Sequence, residues 1–161
     1  MNADVSRRWA SLPAPRMPVL PRGWYQRAAC QDMDVELSHP DGRGHAAAAG
    51  YAEMRRACAV CPVALECLLE VLAAEATLVR AGMAAGLTHD DRKDLDVSAR
   101  RLRELANWRA TPLPGGRLPE PLHGQVLGRL AALAAQKQRL AELWERRAAL
   151  KAGRLTAAVG A

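Results

Sequence analysis

Residues 58–67 read CAVCPVALEC, three cysteines at C-x2-C-x5-C spacing, and the rest of the chain is organised around them. Only one other cysteine, Cys30, exists to join them. Cys58 and Cys61 stand three residues apart, close enough to grip one centre, and Pro62 follows where a helix is expected to take its first residue. Cys67 then falls inside that helix. Helical side chains lean toward the N-terminus, so Cys67 points back at the other two. There the positive end of the helix dipole favours thiolates and an anionic cluster. With Cys30 these residues read as one four-thiolate metal centre. An iron-sulfur cluster is preferred, and structural zinc, which takes the same four-cysteine set, stays open.

Composition suits a metal-held fold. The 161 residues are 50% hydrophobic but include no Phe, four Trp and two Tyr. An Ala- and Leu-rich core of this kind is expected to be small and helical and to bury little apolar area per residue, so a metal is a reasonable fold-holding element. With neither a signal peptide nor an apolar run of membrane-spanning length, four cysteines point to a reducing cytoplasm, to metal or redox chemistry there, and to no membrane partner. The net charge of +6 is unevenly placed: residues 1–99 carry 11 Lys+Arg against 13 Asp+Glu, and residues 100–161 carry 12 against 4. A basic C-terminal part suits a polyanionic partner, DNA first among them.

Taken in order, residues 1–22 hold Pro13, Pro15, Pro18 and Pro21 and read as a flexible leader. Trp24 is expected to pack in the core near the metal. Pro40, Asp41, Gly42 and Gly44 mark a turn, and His39 and His45 read as solvated loop histidines because four thiolates already complete the site. Residues 46–57 form an Ala-rich helix that delivers Cys58. Residues 62–77 form a second, with Val63, Leu65, Leu68, Leu69, Val71 and Leu72 apolar nearly all round, hence buried on more than one side. GMAAG, residues 82–86, is a short turn. Thr88 with Asp91 resembles a capping box and opens a helix to about Trp108, with Leu95, Ala99, Leu102 and Leu105 on one face. Asp90, Asp91, Asp94 and Asp96 are assigned to the dipole and solvation of that helix start.

Arg100, Arg101, Arg103 and Arg109 are the candidates for DNA contact, with Arg146, Arg147, Lys151 and Arg154 as a second set. Residues 111–121, TPLPGGRLPEP, form a Pro/Gly linker, and residues 122–151 a long amphipathic helix with Val126, Leu130, Leu133, Leu140 and Trp144 along one stripe. That stripe is either a coiled-coil seam, weakened by Lys137 inside it, or a face docked on the domain. The fold class is therefore all-α: three to four short helices around a four-cysteine centre over residues 23–110, the linker, and a long amphipathic helix with a basic tail over residues 122–161. No catalytic set emerges, so the chain reads as something other than an enzyme. Two alternatives stay open. One is a zinc-stabilised nucleic-acid-binding module. The other is a thiol-disulfide oxidoreductase using Cys58 and Cys61, which the lack of a βαβ pattern disfavours.

With these residues laid out, the chain resembles the WhiB-like family of iron-sulfur transcriptional regulators over residues 23–95. The resemblance rests on Trp24-x5-Cys30, on Asp34 with Glu36, Leu37 and Pro40, on C-x2-C-P-V-x2-E-C from Cys58 through Cys61 to Cys67, and on Gly82, Gly86, Thr88 and Arg92. It implies a [4Fe-4S] cluster held by Cys30, Cys58, Cys61 and Cys67 and sensitive to oxygen and nitric oxide. It also implies disulfides among the same cysteines in the apo form, and a role in transcription through DNA or a bound sigma factor. Two places depart from the family pattern. Ser38 and His39 stand where members commonly carry two aromatic residues, and Ala84 stands where the family turn carries a tryptophan. Aromatic anchors dominate interfaces of this kind, so losing three rings puts sigma-factor binding in the usual mode in doubt.

Overall fold

The computed structural model describes residues 20–39, 45–75, 81–110, 118 and 120–159. These fall into two compact units that divide between Lys93 and Asp94. The leader up to residue 19, the turn at residues 40–44, the linker residues 111–117 and 119, and the side chain of His45 lie outside the described residues.

In the first unit the chain enters through a 3-10 turn, Trp24–Arg27, that starts from Gly23 at φ 70°. Helix α1, Val35–Ser38, begins because the Asp34 carboxylate accepts the Glu36 N–H at 3.0 Å. Helix α2, His45–Ala59, carries Cys58 in its last turn, and helix α3, Ala64–Ala74, carries Cys67 one turn in. Pro62 does not open α3. Val63 at φ −119°, ψ 21° is the N-cap, and Pro62 lies in the turn between α2 and α3, where the Cys61 carbonyl accepts the Ala64 N–H. Ala64, Leu65, Leu68, Leu69, Leu72 and Ala73 are all buried, so α3 forms the centre of this unit, as its near-continuous apolar circumference requires.

The structure departs from an all-helical reading at residues 83–88. Strands β1, Met83–Ala84, and β2, Leu87–Thr88, pair antiparallel with Met83 opposite Thr88 and Ala84 opposite Leu87. The two loop residues, Ala85 and Gly86, have φ 51° and 81°. Positive φ at both central residues is the requirement of a type I′ turn, whose twist matches that of the strands it joins. Helix α4, His89–Lys93, follows at once. Its capping box is reciprocal: the Asp91 carboxylate accepts the Thr88 N–H at 2.9 Å and the Thr88 hydroxyl at 2.8 Å, while Thr88 Oγ1 accepts the Asp91 N–H at 3.2 Å.

The helix expected to run on to Trp108 is instead two. Asp94 interrupts it and recaps: its Oδ1 accepts the N–H groups of Asp96 and Val97 at 2.9 and 3.1 Å, opening helix α5, Leu95–Ala110. Helix α6, Glu120–Val159, completes the second unit. It starts two residues earlier than expected, since Pro121 costs nothing in a first turn. Ser98, Leu102 and Leu105 of α5 and Leu122, Val126 and Leu133 of α6 are buried, and the helices lie against each other as an antiparallel hairpin. Lys137 marks where the buried part of the seam ends, its ammonium held by both oxygens of Asp96 at 2.7 and 2.8 Å.

Candidate metal centre

Sequence separation alone would leave Cys30 far from the other thiols, and the fold brings it in. Cys30 starts a turn whose carbonyl accepts the Met33 N–H, and with Leu37 of α1 and Tyr51 of α2 it packs against a small buried cluster of Met54, Cys58 and Met83. Cys58 and Cys61 are buried, whereas Cys30 and Cys67 are half-buried. All four are thiols, with no disulfide among them. Burial pushes the Cys67 thiol up to about 12; the Ala85 N–H, donated to its sulfur, acts the other way, and negative charge on Cys58, Cys30 and Cys61 raises it further. Each of the other three cysteines is therefore close enough to Cys67 for its charge to be felt. Among the described residues no three Cys, His, Asp or Glu side chains already stand in ligating position around one point. The donor set nonetheless fits a thiophilic metal or cluster. Cys30 and Cys58 lie against Met54 and Met83, Cys61 and Cys67 flank the start of α3, and four soft sulfurs are the donors such a group takes.

What aims the Ala85 N–H at Cys67 is a residue whose role is not legible in sequence. Arg92, only 1% exposed, uses all five of its N–H donors. Nε bonds both Glu75 oxygens at 3.0 and 3.1 Å, Nη2 bonds Glu75 Oε1 at 2.6 Å and the Ala81 carbonyl at 2.7 Å, and Nη1 bonds the carbonyls of Gly82 and Leu87 at 3.1 and 2.8 Å. The guanidinium thus ties both ends of the hairpin to Glu75, the residue that ends α3. Glu75 carries no local sign of this duty, and its partner lies 17 residues away.

Other candidates land elsewhere. Trp24 is half-buried rather than in the core, edge-on to Tyr25 with ring centroids 6.3 Å apart. His39 is exposed, its Nδ1 sharing a hydrogen with the Ser38 hydroxyl at 2.8 Å, and its ring lies against Gly82. His39, one of the two replacements at 38 and 39, therefore adjoins the foot of the hairpin that bears the third, Ala84, which is buried. Arg100, Arg101, Arg103 and Arg109 do not share one face of α5. Arg100 and Arg103 are exposed, Arg101 pairs with Glu104 at 3.3 Å, and Arg109 is half-buried. The four aspartates are engaged structurally: Asp91 and Asp94 as caps, Asp96 with Lys137, and Asp90 with Lys93 at 2.7 Å.

A small helical domain with Cys30 packed against the cluster that contains Cys58, and Cys61 and Cys67 on either side of the start of a buried helix, has the cysteine set of the metal-binding class. A family model described as transcription factor WhiB matches residues 24–95. Transcriptional regulator WhiB1 from two strains of Mycobacterium tuberculosis, CDC 1551 / Oshkosh and ATCC 25618 / H37Rv, is 36% identical over 72 residues, which cover 45% of this chain and 82% of each relative. The chain belongs to the WhiB family of transcriptional regulators, whose members bind a metal cluster through cysteines and are not enzymes. No solved structure gives a significant match.

Proposed function

We propose that the chain is a transcriptional regulator whose first unit holds a redox- or nitric-oxide-sensitive [4Fe-4S] cluster on Cys30, Cys58, Cys61 and Cys67. What supports this reading is the C-x2-C-x5-C run from Cys58 to Cys67 together with the packing of Cys30 against the buried cluster that contains Cys58. When bound, such a group supplies one-electron chemistry and a point of attack for oxygen or nitric oxide. The protein's part is positional. Cys30 pins the segment leading to α1 against α2, Cys58 and Cys61 fix the turn between α2 and α3, and the Ala85 N–H stabilises negative charge on Cys67. Releasing the sulfurs frees these elements from one another, and with oxygen as the two-electron oxidant the freed thiols can then pair as disulfides, so the surface offered to partners changes.

The partners belong to the transcription machinery or are DNA, which places the protein in the cytoplasm; no described helix is long and apolar enough to cross a membrane. Sigma-factor engagement in the family's usual mode is disfavoured, since Ser38 has no ring, His39 offers only a polar imidazole in place of a large aromatic side chain, and Ala84 is 5% exposed. DNA contact falls to Arg100 and Arg103, the two exposed arginines of the four, which sit three residues apart on α5. Iron and acid-labile sulfide analysis of the full chain purified without oxygen tests the cluster. About four irons per chain are expected, and a colourless protein with one zinc would overturn the reading in favour of a structural metal. Cys30→Ser should abolish loading, whereas a dithiol exchange centred on Cys58 and Cys61 would survive it. For DNA, a double Arg100→Ala, Arg103→Ala variant should flatten the slope of log affinity against log salt by about 1.8.

A further inference from the structure

Past Lys137, α6 keeps its seam but loses its cover. Leu122, Val126 and Leu133 lie on one side of α6 and are buried in the hairpin with α5, where Leu133 lines a cleft with Leu95 and Ala99. Helix α5 begins at Leu95, and its Asp96 holds Lys137. From Ala134 to Arg154 every residue of α6 is exposed. At about 100° per residue, Leu140, Leu143, Trp144 and Leu150 continue the side that Leu133 occupies. Leu143 is 44%, Trp144 66% and Leu150 67% exposed. The same stripe is thus covered where α5 reaches and bare where it does not.

The charges are segregated with it. Lys137, Arg139, Arg147, Lys151 and Arg154 fall in the half of the helix that bears the four large apolar residues, with Arg147, Lys151 and Arg154 interspersed among them, and Arg146 lies at its edge. Glu142 and Glu145 fall in the other half, among alanines. Near the middle of the stripe the Arg147 guanidinium sits 5.8 Å from the Trp144 ring centroid, over its face.

We propose that this half of α6, residues 137–154, is a docking face for an acidic amphipathic helix of another protein, which takes up the seam where α5 leaves off. An apolar stripe lined by cations is matched by an apolar stripe lined by carboxylates, with Arg147 presenting a fork to one of them. A second copy of this chain is a poor occupant: it would set Arg147 into a seam facing its own counterpart and bring like charge to both flanks. Duplex DNA would use the cations but leave Leu143 and Leu150 without an apolar surface to cover them. The face is remote in sequence from the cysteines, and the proposal does not rest on the cluster.

The test titrates the full chain into three labelled probes: an amphipathic helical peptide of about three Leu/Glu heptads, the same peptide with Lys for Glu, and a duplex of about 20 base pairs. Sedimentation equilibrium of the chain alone accompanies it. The acidic peptide should bind and the basic one should not, and the chain should sediment as a monomer. Leu143→Glu and Arg147→Glu should each weaken the acidic peptide by roughly tenfold. Ala149→Glu, which adds the same charge to the reverse face, should leave affinity within about twofold. Circular dichroism checks that α6 persists; if Leu143→Glu melts it, the helix-favouring Leu143→Ala is measured instead and should weaken binding in the same direction. Binding of the acidic peptide that ignores Leu143, a dimer that Leu143→Glu dissociates, or binding of duplex alone would each overturn the proposal.

Discussion

The two units of this chain are held by opposite means. The first strings short elements together with polar bonds: a type I′ hairpin and a reciprocal cap, both local, and a buried arginine that spends five donors on one carboxylate 17 residues away and three carbonyls. The second is two helices along one apolar seam, with the exposed Asp96–Lys137 ion pair where the buried part ends. The difference teaches where each unit gets its rigidity. Helix α5 and the near part of α6 need only propensity and burial. The first unit needs its polar bonds and whatever its four sulfurs hold.

The largest effect should come from breaking that dependence. In the full chain, Cys30→Ser should cost the first unit its fold while leaving the helical hairpin intact. Structural metal sites in small domains carry on the order of 10 kcal/mol of apparent binding energy, comparable to the whole stability of a domain. Amide hydrogen exchange reads this directly: protection should vanish over α2 and α3 and persist over α5 and the part of α6 up to Lys137. Simultaneous loss in both units would mean that the helical hairpin depends on the cysteine centre as well.

Next in size is the clamp. Arg92→Leu removes the guanidinium from the Glu75 carboxylate, 9% exposed, and breaking a buried pair from one side costs about 3–5 kcal/mol. Lys137→Ala removes an ion pair whose side chains are 62% and 72% exposed, and exposed pairs are worth at most about 1 kcal/mol. Urea midpoints of the two variants should therefore differ severalfold in their displacement from the parent. Equal displacements would mean that the first unit does not depend on its arginine.

What the sequence made legible follows the same divide. The cysteine spacing, the Thr88–Asp91 box, the buried circumference of α3 and the stripe of α6 are all written within a few residues, where periodicity and capping chemistry operate. The hairpin was not legible, because two-residue strands show no alternation and Ala85 is a poor advertisement for a positive φ. Nor was the Arg92–Glu75 clamp, whose partners are joined only once α3 and the hairpin have formed. The break at Asp94 was readable in principle, as a capping residue within a run of helix formers, but one continuous helix satisfied the same apolar spacing.

A smaller effect tests the foot of the hairpin. Gly82 has φ 60°, and a Cβ placed on it would come within 2.7 Å of His39 Cδ2 and Cε1. His39 is exposed and its ring can swing away, forgoing only its bond to Ser38, so backbone strain dominates. Gly82→Ala should then cost about 1–2 kcal/mol, and adding His39→Ala should recover little of it. Full recovery in the double variant would instead place the constraint in the imidazole contact.

The smallest effect concerns pH. Burial works against the charged form of Asp91, but the Thr88 N–H and hydroxyl outweigh it, with the Arg55 guanidinium at 3.9 Å adding to them, and the carboxyl is held below its ordinary 3.8. A carboxyl whose folded-state value is depressed binds its proton more weakly in the fold than in the unfolded chain. Its contribution is therefore complete above the unfolded value near 4 and fades as pH falls through the folded one. The Asp91 side chain is 39% exposed, so solvent screening keeps the effect of Asp91→Asn below about 1 kcal/mol at pH 7. The gap between parent and variant urea midpoints should stay constant from pH 7 to about 5 and narrow only below about 4. A gap that widened on acidification would mean that the protonated carboxyl is the form the cap prefers, and that α4 is held by neutral hydrogen bonds rather than by charge.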